Sequence, residues 1–209
     1  PSGDTNYRGG RDRGLFGGGY NTLKTIEYIT ISTLGDTVNF GELNVGRRNQ
    51  TSCSSEIRGV WSGGWNGSAI INSIDFVTIR STGDAFDFGD LNQTIQLPTA
   101  FSNNIRGIMG GGSTPLASDV LDFITFTSTG NASNFGDLTL ARQNLYAVAS
   151  TTRGIVAGGL TPARTNVIDY VTIASTGDAK DFGDCSAPKD GSAGLASATR
   201  GVFCCGRAP

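Results

Sequence analysis

The amino-acid sequence predicts an all-β protein made of repeated four-stranded units. Three observations carry this prediction: the composition suits strands and turns, one phrase recurs at even spacing, and each repeat divides into four short strand-like segments. Glycine accounts for 31 of the 209 residues, which is about twice its average usage. Threonine, isoleucine and valine favour half-buried strands, whereas glycine, asparagine and serine favour tight turns.

The internal repeat is the strongest signal in the chain. A phrase of the type Arg-Gly-apolar-x-x-x-Gly recurs every 45 to 48 residues, and its arginines are Arg13, Arg58, Arg106, Arg153 and Arg200. A second phrase, of the type IDYVTIASTGDAKDFGDC, lies between successive copies of the first. A strand-rich period of about 40 to 50 residues is typical of the blades of a β-propeller.

The repeat spacing predicts one domain over residues 1–209. Its units are expected near 13–57, 58–105, 106–152 and 153–199, with a partial unit at 200–209. Both ends fall within a repeat and the chain does not begin with methionine, so we expect a segment of a longer repeat protein. A small closed ring, with residues 2–7 supplying part of a fourth strand, is the alternative.

Each unit reads as four antiparallel strands, as the fourth unit illustrates. One strand precedes Arg153, the next carries RGIVAGG, the third is VIDYVTIAS and the fourth is AKDFGDC. The third strand is apolar on both faces, which indicates that it is sandwiched between neighbouring sheets. The turn before the fourth strand needs Gly177 at positive φ. The expected fold class is therefore a β-propeller or propeller segment, with four full four-stranded blades plus a partial one.

These residues resemble the kelch repeat. A Gly-Gly pair, a third-strand aromatic beside an acidic residue, a fourth-strand aromatic and a following basic residue occur in the order of that family. The third-strand aromatics are Tyr28, Phe76, Phe123 and Tyr170; the fourth-strand aromatics are Phe40, Phe88, Phe135 and Phe182; the basic residues are Arg47, Arg142 and Lys189. The second repeat departs from the pattern, with Pro98 and no arginine nearby.

The sequence of the second repeated phrase is more specific than the general kelch pattern. Over about residues 13–206 it is similar to the kelch-like repeats of virion proteins from tailed marine bacteriophages, including cyanophages. This resemblance implies a structural or host-recognition protein of the virion, associated with the tail or a tail fibre, as part of a larger assembly. Its expected partners are other virion proteins or a host-surface receptor or glycan. A cellular kelch-type module for protein–protein interaction is the alternative.

Charge and cysteine usage narrow the range of partners and cofactors. The net charge is −2 and 16% of the residues are charged, so the chain lacks the basic stripe that nucleic-acid binding needs. No apolar run of about 18 residues exists to span a membrane. The four cysteines form neither a CxxC pair nor a cluster with histidine. We therefore expect free thiols and no zinc site or other cofactor.

The absence of histidine bears on catalysis. A chain with no histidine cannot form a Ser-His-Asp or Cys-His site, and it lacks the commonest general base. A glycan-active enzyme would need two carboxylates in a cleft, but the acidic residues here recur at equivalent positions, which indicates a structural role. The sequence thus favours a non-catalytic module, with a glycan-active enzyme as the less favoured alternative.

The acidic turn before each fourth strand is the candidate for a metal site. Carboxylates spaced three apart around a glycine suit Ca²⁺, and in the second and fourth repeats they are Asp84, Asp87, Asp90, Asp178, Asp181 and Asp184. The alternative, which the residue types favour, is that these side chains cap the turn by accepting hydrogen bonds from its backbone amides.

Two further sets of residues are candidates for ligand binding. A ring formed by the five repeat arginines, Arg13, Arg58, Arg106, Arg153 and Arg200, could hold an anion or an acidic glycan. The favoured interpretation is that each guanidinium bonds carbonyls or an acidic residue of a neighbouring blade. Tyr20 and Trp65 directly follow Gly-Gly pairs and are expected to be exposed, where aromatic rings stack on sugars or anchor proteins. Trp61 holds an apolar repeat position and is expected in the core.

Overall fold

The structure is a computed structural model that describes residues 12–208, in which nineteen β-strands and no helix occur. The prediction for residues 2–7 therefore lies outside the described residues. The first sheet has three strands in the order β1–β2–β3, with the bounds β1 Arg13–Gly17, β2 Thr25–Thr30 and β3 Val38–Glu42. In residues 12–208 no helix is long and apolar enough to cross a membrane.

Three four-stranded antiparallel sheets follow. The second has the strands β4 Thr51–Ser54, β5 Arg58–Ser62, β6 Ser73–Thr78 and β7 Phe86–Asp90. The third has the strands β8 Thr99–Ser102, β9 Arg106–Gly110, β10 Val120–Thr125 and β11 Ser133–Asp137. The fourth has the strands β12 Tyr146–Ala149, β13 Arg153–Ala157, β16 Val167–Thr172 and β17 Lys180–Asp184. The predicted all-β, four-stranded antiparallel units are confirmed in these three sheets.

Two smaller ribbons complete the described structure. The strands β14 Leu160–Thr161 and β15 Ala163–Arg164 pair within the loop between β13 and β16. A fifth sheet contains the strands β18 Ala193–Ala196 and β19 Gly201–Cys204. From Arg58 onward, the strand before each Arg-Gly belongs to the same sheet as the strand after it, so these sheets are offset by one strand from units that begin at the arginine.

The core lies between successive sheets rather than within one. One cluster joins Ile26 and Phe40 of the first sheet to Trp61 of the second. Equivalent clusters join the second sheet to the third and the third to the fourth. The first strands of successive sheets also touch, from β4 to β8, from β8 to β12 and from β12 to β18. Apolar residues on both faces of the third strand are therefore buried, as predicted, and Trp61 is in the core.

A backbone contact repeats between the sheets. The turn before the fourth strand packs on the fourth strand of the preceding sheet, where the amide of Gly83 donates to the carbonyl of Phe40 and the amide of Ala85 donates to that of Glu42. Equivalent pairs join the second sheet to the third and the third to the fourth. Gly177, in the last of these turns, has the predicted positive φ, at 147°.

Candidate functional site

In the first four repeats, the arginine of the Arg-Gly pair begins a second strand and lies over the aromatic ring of the third. Guanidinium-to-ring distances are 4.4 to 4.7 Å for the pairs Arg13–Tyr28, Arg58–Phe76, Arg106–Phe123 and Arg153–Tyr170. In the antiparallel pairing of the second and third strands, the arginine and the aromatic residue are diagonal neighbours, and side chains at such positions reach each other. Stacking of this kind stabilises the strand pair by about 0.5–1 kcal/mol at an exposed site.

Three of these arginines also bridge to the next sheet. Nη1 of Arg13 donates to the Ile79 carbonyl at 2.8 Å, and Nη1 of Arg106 donates to the Ala174 carbonyl at 3.0 Å. Arg58 makes the equivalent bond to Phe126. These contacts fit the structural interpretation rather than an anion-binding ring. Arg153 differs, because it is exposed and donates to no carbonyl of another sheet within residues 12–208.

The acidic turns take part in the contact between sheets. Oδ1 of Asp84 accepts a hydrogen bond from the Glu42 amide of the preceding sheet at 3.0 Å, and Oδ1 of Asp178 accepts one from the Asp137 amide at 3.1 Å. The sequence-based expectation that these two aspartates bind amides of their own turn was therefore wrong about the partner. The repeat pattern does not predict this partner, because the amide belongs to a residue about 40 positions earlier in the chain.

The other acidic candidates have different hydrogen-bond partners from Asp84 and Asp178. Oδ1 of Asp87 accepts from the Gly89 amide at 3.2 Å, and Oδ1 of Asp181 accepts from the Gly183 amide at 3.0 Å. These bonds are local, as predicted, but they lie within the fourth strands and not in the turn before them. Asp90 and Asp184 each end a fourth strand. Across residues 12–208, no three acidic or cysteine side chains meet in a group suited to a metal ion.

Two buried ion pairs also link successive sheets. Arg47, after the first sheet, reaches Asp75 of the second sheet with 2.7 Å between Nη2 and Oδ2, and both side chains are buried. Burial lowers the pKa of Arg47, and the Asp75 carboxylate partly restores it. Arg142 and Asp169 repeat the pair at 3.0 Å. The basic residue that the kelch resemblance singles out is thus a link between sheets.

The second repeat lacks this arginine but keeps its acidic partner. Ile95 occupies the position of Arg47, because the amides of both residues donate to equivalent loop carbonyls. Asp122 is nevertheless buried, and it accepts hydrogen bonds from the amide of Asn92 at 2.9 Å and from its side chain at 2.6 Å. One asparagine therefore supplies the donors for a buried carboxylate.

Tyr20, Arg48 and Trp65 come together, Tyr20 and Trp65 from loops between second and third strands and Arg48 from the connection between β3 and β4. Tyr20 is 78% exposed, and the Arg48 guanidinium lies 5.5 Å from the centre of its ring. The backbones of Arg48 and Trp65 form a two-way bridge, with amide–carbonyl distances of 2.8 and 3.0 Å. We name these three residues the aromatic–arginine cluster. It combines two aromatic rings with a cation at one end of the strands.

Sequence reasoning found the two aromatic residues and missed Arg48. A signal existed, because the equivalent residue in the other repeats is Gln96, Gln143 or Asp190, so the arginine departs from the pattern as Trp65 does. Trp65 is half-buried and not fully exposed as expected, because its backbone pairs with Arg48 and with Ile70.

A cleft of about 370 Å³ lies beside the first strands of the second and third sheets. Ser52, Cys53, Ser54 and Ser102 line it together with Arg13. The cleft offers hydroxyl groups and one thiol, but its lining contains no carboxylate, and the chain has no histidine. Nucleophilic catalysis needs an adjacent base, and none of the lining residues supplies one. The other cysteines, Cys185, Cys204 and Cys205, are free thiols.

No protein-family model matches this sequence, and no curated protein matches it either. The assignment of a function therefore depends on the repeat pattern and on the geometry of the described residues.

Proposed function

We propose that the chain is a non-catalytic binding module on a kelch-like β-propeller scaffold, acting in a bacteriophage virion as a structural and host-recognition element. Its partners are a protein or a cell-surface glycan, bound through the loops that carry the aromatic–arginine cluster. The order of the sheets supports the propeller scaffold, because each packs on the next and their first strands touch. The virion assignment is supported by the wording of the repeats.

Residues at repeated positions and residues that depart from the repeat have different roles, which supports a scaffold with a separate binding surface. Side chains at repeated positions are used between sheets, as in the Arg47–Asp75 pair, which Arg142 and Asp169 repeat, and in the bond of Asp84 to Glu42. The aromatic–arginine cluster departs from the repeat, and Tyr20 is mostly exposed. This contrast is the observation that carries the proposal, because residues that are not needed for packing are available for a ligand.

The chemistry of the cluster fits recognition without catalysis. Tyrosine, tryptophan and arginine are the residue types most enriched among those that dominate binding energy at protein interfaces. Aromatic faces also stack on sugar rings, and a guanidinium binds carboxylate or sulfate groups on a glycan. Tyr20 and Trp65 directly follow the Gly-Gly pairs of adjacent sheets, so one ligand can span both.

Competition for phage adsorption tests this proposal. The purified chain is added to marine cyanobacterial cells before challenge with a tailed phage, and the concentration that halves adsorption is measured. The double substitution Tyr20→Ala and Trp65→Ala is expected to raise that concentration at least tenfold. Leu34→Ala is the control, because Leu34 is fully exposed and lies beyond the opposite end of β2. Inhibition that is equal for all three proteins would refute the proposed surface.

A further inference from the structure

The aromatic–arginine cluster is built from three segments that contain no aspartate or glutamate. The segments are the loop 18–24 of the first sheet, the connection 43–50 and the loop 63–72 of the second sheet. Together they hold three basic residues, Lys24, Arg47 and Arg48. The whole chain has a net charge of −2, so the charge of these segments is opposite in sign to that of the chain.

Two of these three cations have no acidic partner. Arg47 is buried against Asp75, whereas Lys24 and Arg48 form no ion pair with any of the described residues. The Arg48 side chain stacks on Tyr20, and its buried Nε has no hydrogen-bond partner within residues 12–208. A guanidinium offers five donors, and buried polar atoms are normally hydrogen-bonded. Arg48 is therefore available to bind an anion.

The equivalent place between the fourth and fifth sheets is neutralised within the chain. Asp190 occupies the position of Arg48 there, because it forms the backbone bridge to Arg207 that Arg48 forms to Trp65. The Asp190 carboxylate binds both Arg164 and Arg207. Between the first two sheets an arginine replaces this carboxylate, so the counter-charge has to come from solvent or from a ligand.

The backbone of the cluster is already paired. The amide of Gly19 donates to the Arg47 carbonyl at 3.0 Å, and the amide of Arg47 donates to the Leu23 carbonyl at 3.2 Å. Arg48 and Trp65 exchange both of their backbone hydrogen bonds, so these two residues offer no free strand edge to an added peptide. Recognition here depends on side chains, and the backbone that carries them is fixed before a ligand binds.

Uncharged polar side chains accompany the cations. Asn21, Asn49 and Ser68 are exposed, one on each of the three segments. A Cβ added at Gly67 would lie 3.8 Å from Oγ1 of Thr22, so the loops of the two sheets are neighbours. Amide and hydroxyl groups both donate and accept hydrogen bonds, as the hydroxyl groups of a sugar do. The polar side chains therefore suit a saccharide better than an apolar protein surface.

We infer that the ligand of the aromatic–arginine cluster is an acidic polysaccharide, and this inference rests on the function proposed above. A uronate carboxylate or a sulfate group binds the Arg48 guanidinium, and Lys24 adds a second positive charge. A sugar ring of the same chain stacks on Tyr20, and its hydroxyl groups bond the amides of Asn21 and Asn49. The lack of carboxylates contributes to specificity, because a carboxylate here would repel the ligand.

Calorimetric titration with defined oligosaccharides tests this inference. The probes are an oligomannuronate, which carries carboxylates, a sulfated dextran oligosaccharide and a neutral dextran oligosaccharide of the same length, each added to the full 209-residue chain. At least one acidic probe is expected to bind at least tenfold more tightly than the neutral probe, and the tighter of the two identifies the acidic group. The preference should fall as salt is added, because exposed charges are then screened.

Arg48→Gln is the diagnostic variant. Gln96 and Gln143 hold the same position in other repeats, so glutamine is compatible with the backbone bridge. We expect this variant to bind the acidic probe at least tenfold more weakly and the neutral probe as the wild type does. Arg80→Gln is the matched control and should keep wild-type affinity, because Arg80 is exposed and lies beyond the opposite end of β6. Melting curves establish that both variants are folded.

Three results would overturn the inference. The first is that neither acidic probe binds more tightly than the neutral one, and the second is an equal loss of affinity in Arg48→Gln and Arg80→Gln. The third is binding of a polyglutamate peptide that depends on Arg48 and is as tight as that of the acidic oligosaccharides, because the ligand would then be an acidic protein segment.

Adsorption competition distinguishes failure of this inference from failure of the proposed function. If Arg48→Gln competes like the wild-type chain while the double substitution Tyr20→Ala and Trp65→Ala does not, the surface is correct and the acidic ligand is wrong. If the double substitution also competes like the wild-type chain, the proposed function itself is wrong.

Discussion

Arg47 and Asp75 form a buried ion pair that joins the first sheet to the second, with 2.7 Å between Nη2 and Oδ2. The same guanidinium donates to the carbonyl of Ser73 at 2.9 Å and to that of Val45 at 3.1 Å. A buried pair stabilises a fold only when its remaining donors and acceptors are satisfied. This one is satisfied by backbone groups, and Arg142 and Asp169 form its counterpart between the third and fourth sheets.

Replacing Arg47 with methionine is expected to lower the free energy of unfolding by about 3–5 kcal/mol, because Asp75 would remain buried without its cation. The measurement is chemical denaturation followed by circular dichroism. Arg48→Met is the matched control, since the side chain of this neighbouring arginine stacks on Tyr20, a contact worth about 1 kcal/mol or less, and its backbone bonds to Trp65 are kept. Equal losses in the two variants would show that the ion pair does not link the sheets.

Asn92→Ala is expected to cost more stability than Asn44→Ala. Both asparagines donate from the side chain to a buried aspartate, at 2.6 Å for Asn92–Asp122 and 3.2 Å for Asn44–Asp75. Asp75 keeps Arg47, whereas Asp122 has no arginine within the described residues. Removing a donor from a buried charged group costs about 1.5–3 kcal/mol, so we expect that loss for Asn92→Ala and a smaller one for Asn44→Ala. The reverse order in urea denaturation would contradict this explanation.

Comparing the stabilities of Gly136→Ala and Gly183→Ala distinguishes the cost of a steric collision from the cost of backbone strain. Both glycines have positive φ, at 145° and 132°, so alanine is strained at either position. Only at Gly136 does the added Cβ meet the carbonyl of Gly177. Overpacking costs about 1–3 kcal/mol, and we expect thermal or chemical denaturation to show this difference between the variants. Equal stabilities would mean that the turn of the fourth sheet does not rest on β11.

Low pH is expected to weaken the ion pairs that Asp190 forms with Arg164 and Arg207. Burial raises the pKa of this carboxyl group, but hydrogen bonds and charges from Arg164 and Arg207 outweigh it, so that the pKa lies below its usual value. A lowered pKa in the folded state adds stability above the ordinary aspartate pKa of about 3.9, and this stability is lost as the pH falls through the folded value.

Denaturation at pH 7, 4 and 3 checks this prediction, with Asp190→Asn for comparison. The wild-type chain should lose more stability than the variant between pH 4 and pH 3, because the variant has no carboxyl group to protonate. Parallel losses in the two proteins would show that the arginine contacts of Asp190 do not stabilise the fold.

The repeated strands could be predicted from the sequence because each has a local signal. The alternation in Val167–Thr172 and the glycine at 177 specify a strand and a turn without reference to the rest of the chain. The bonds between sheets could not be predicted in this way. The partner of Asp84 is the amide of Glu42. A backbone amide can come from almost any residue type, so the sequence does not indicate which residue donates.

The candidate site was partly predictable for the same reason. Tyr20 and Trp65 stand out because large aromatic residues follow a Gly-Gly pair, where the other repeats have Ser113 and Leu160. Arg48 was hidden beside Arg47, which matches the repeat and is buried. Only the structure separates the two adjacent arginines into one that links sheets and one that stacks on Tyr20.

The most direct test of a scaffold with a separate binding surface is the affinity for cyanobacterial cells of two folded variants, measured beside their unfolding free energies. Arg142→Met is predicted to lose stability and to keep wild-type affinity at a temperature where it is folded. The double variant Tyr20→Ala and Trp65→Ala is predicted to keep its stability and to lose affinity at least tenfold. Wild-type affinity in the double variant, with affinity lost in folded Arg142→Met, would contradict this division.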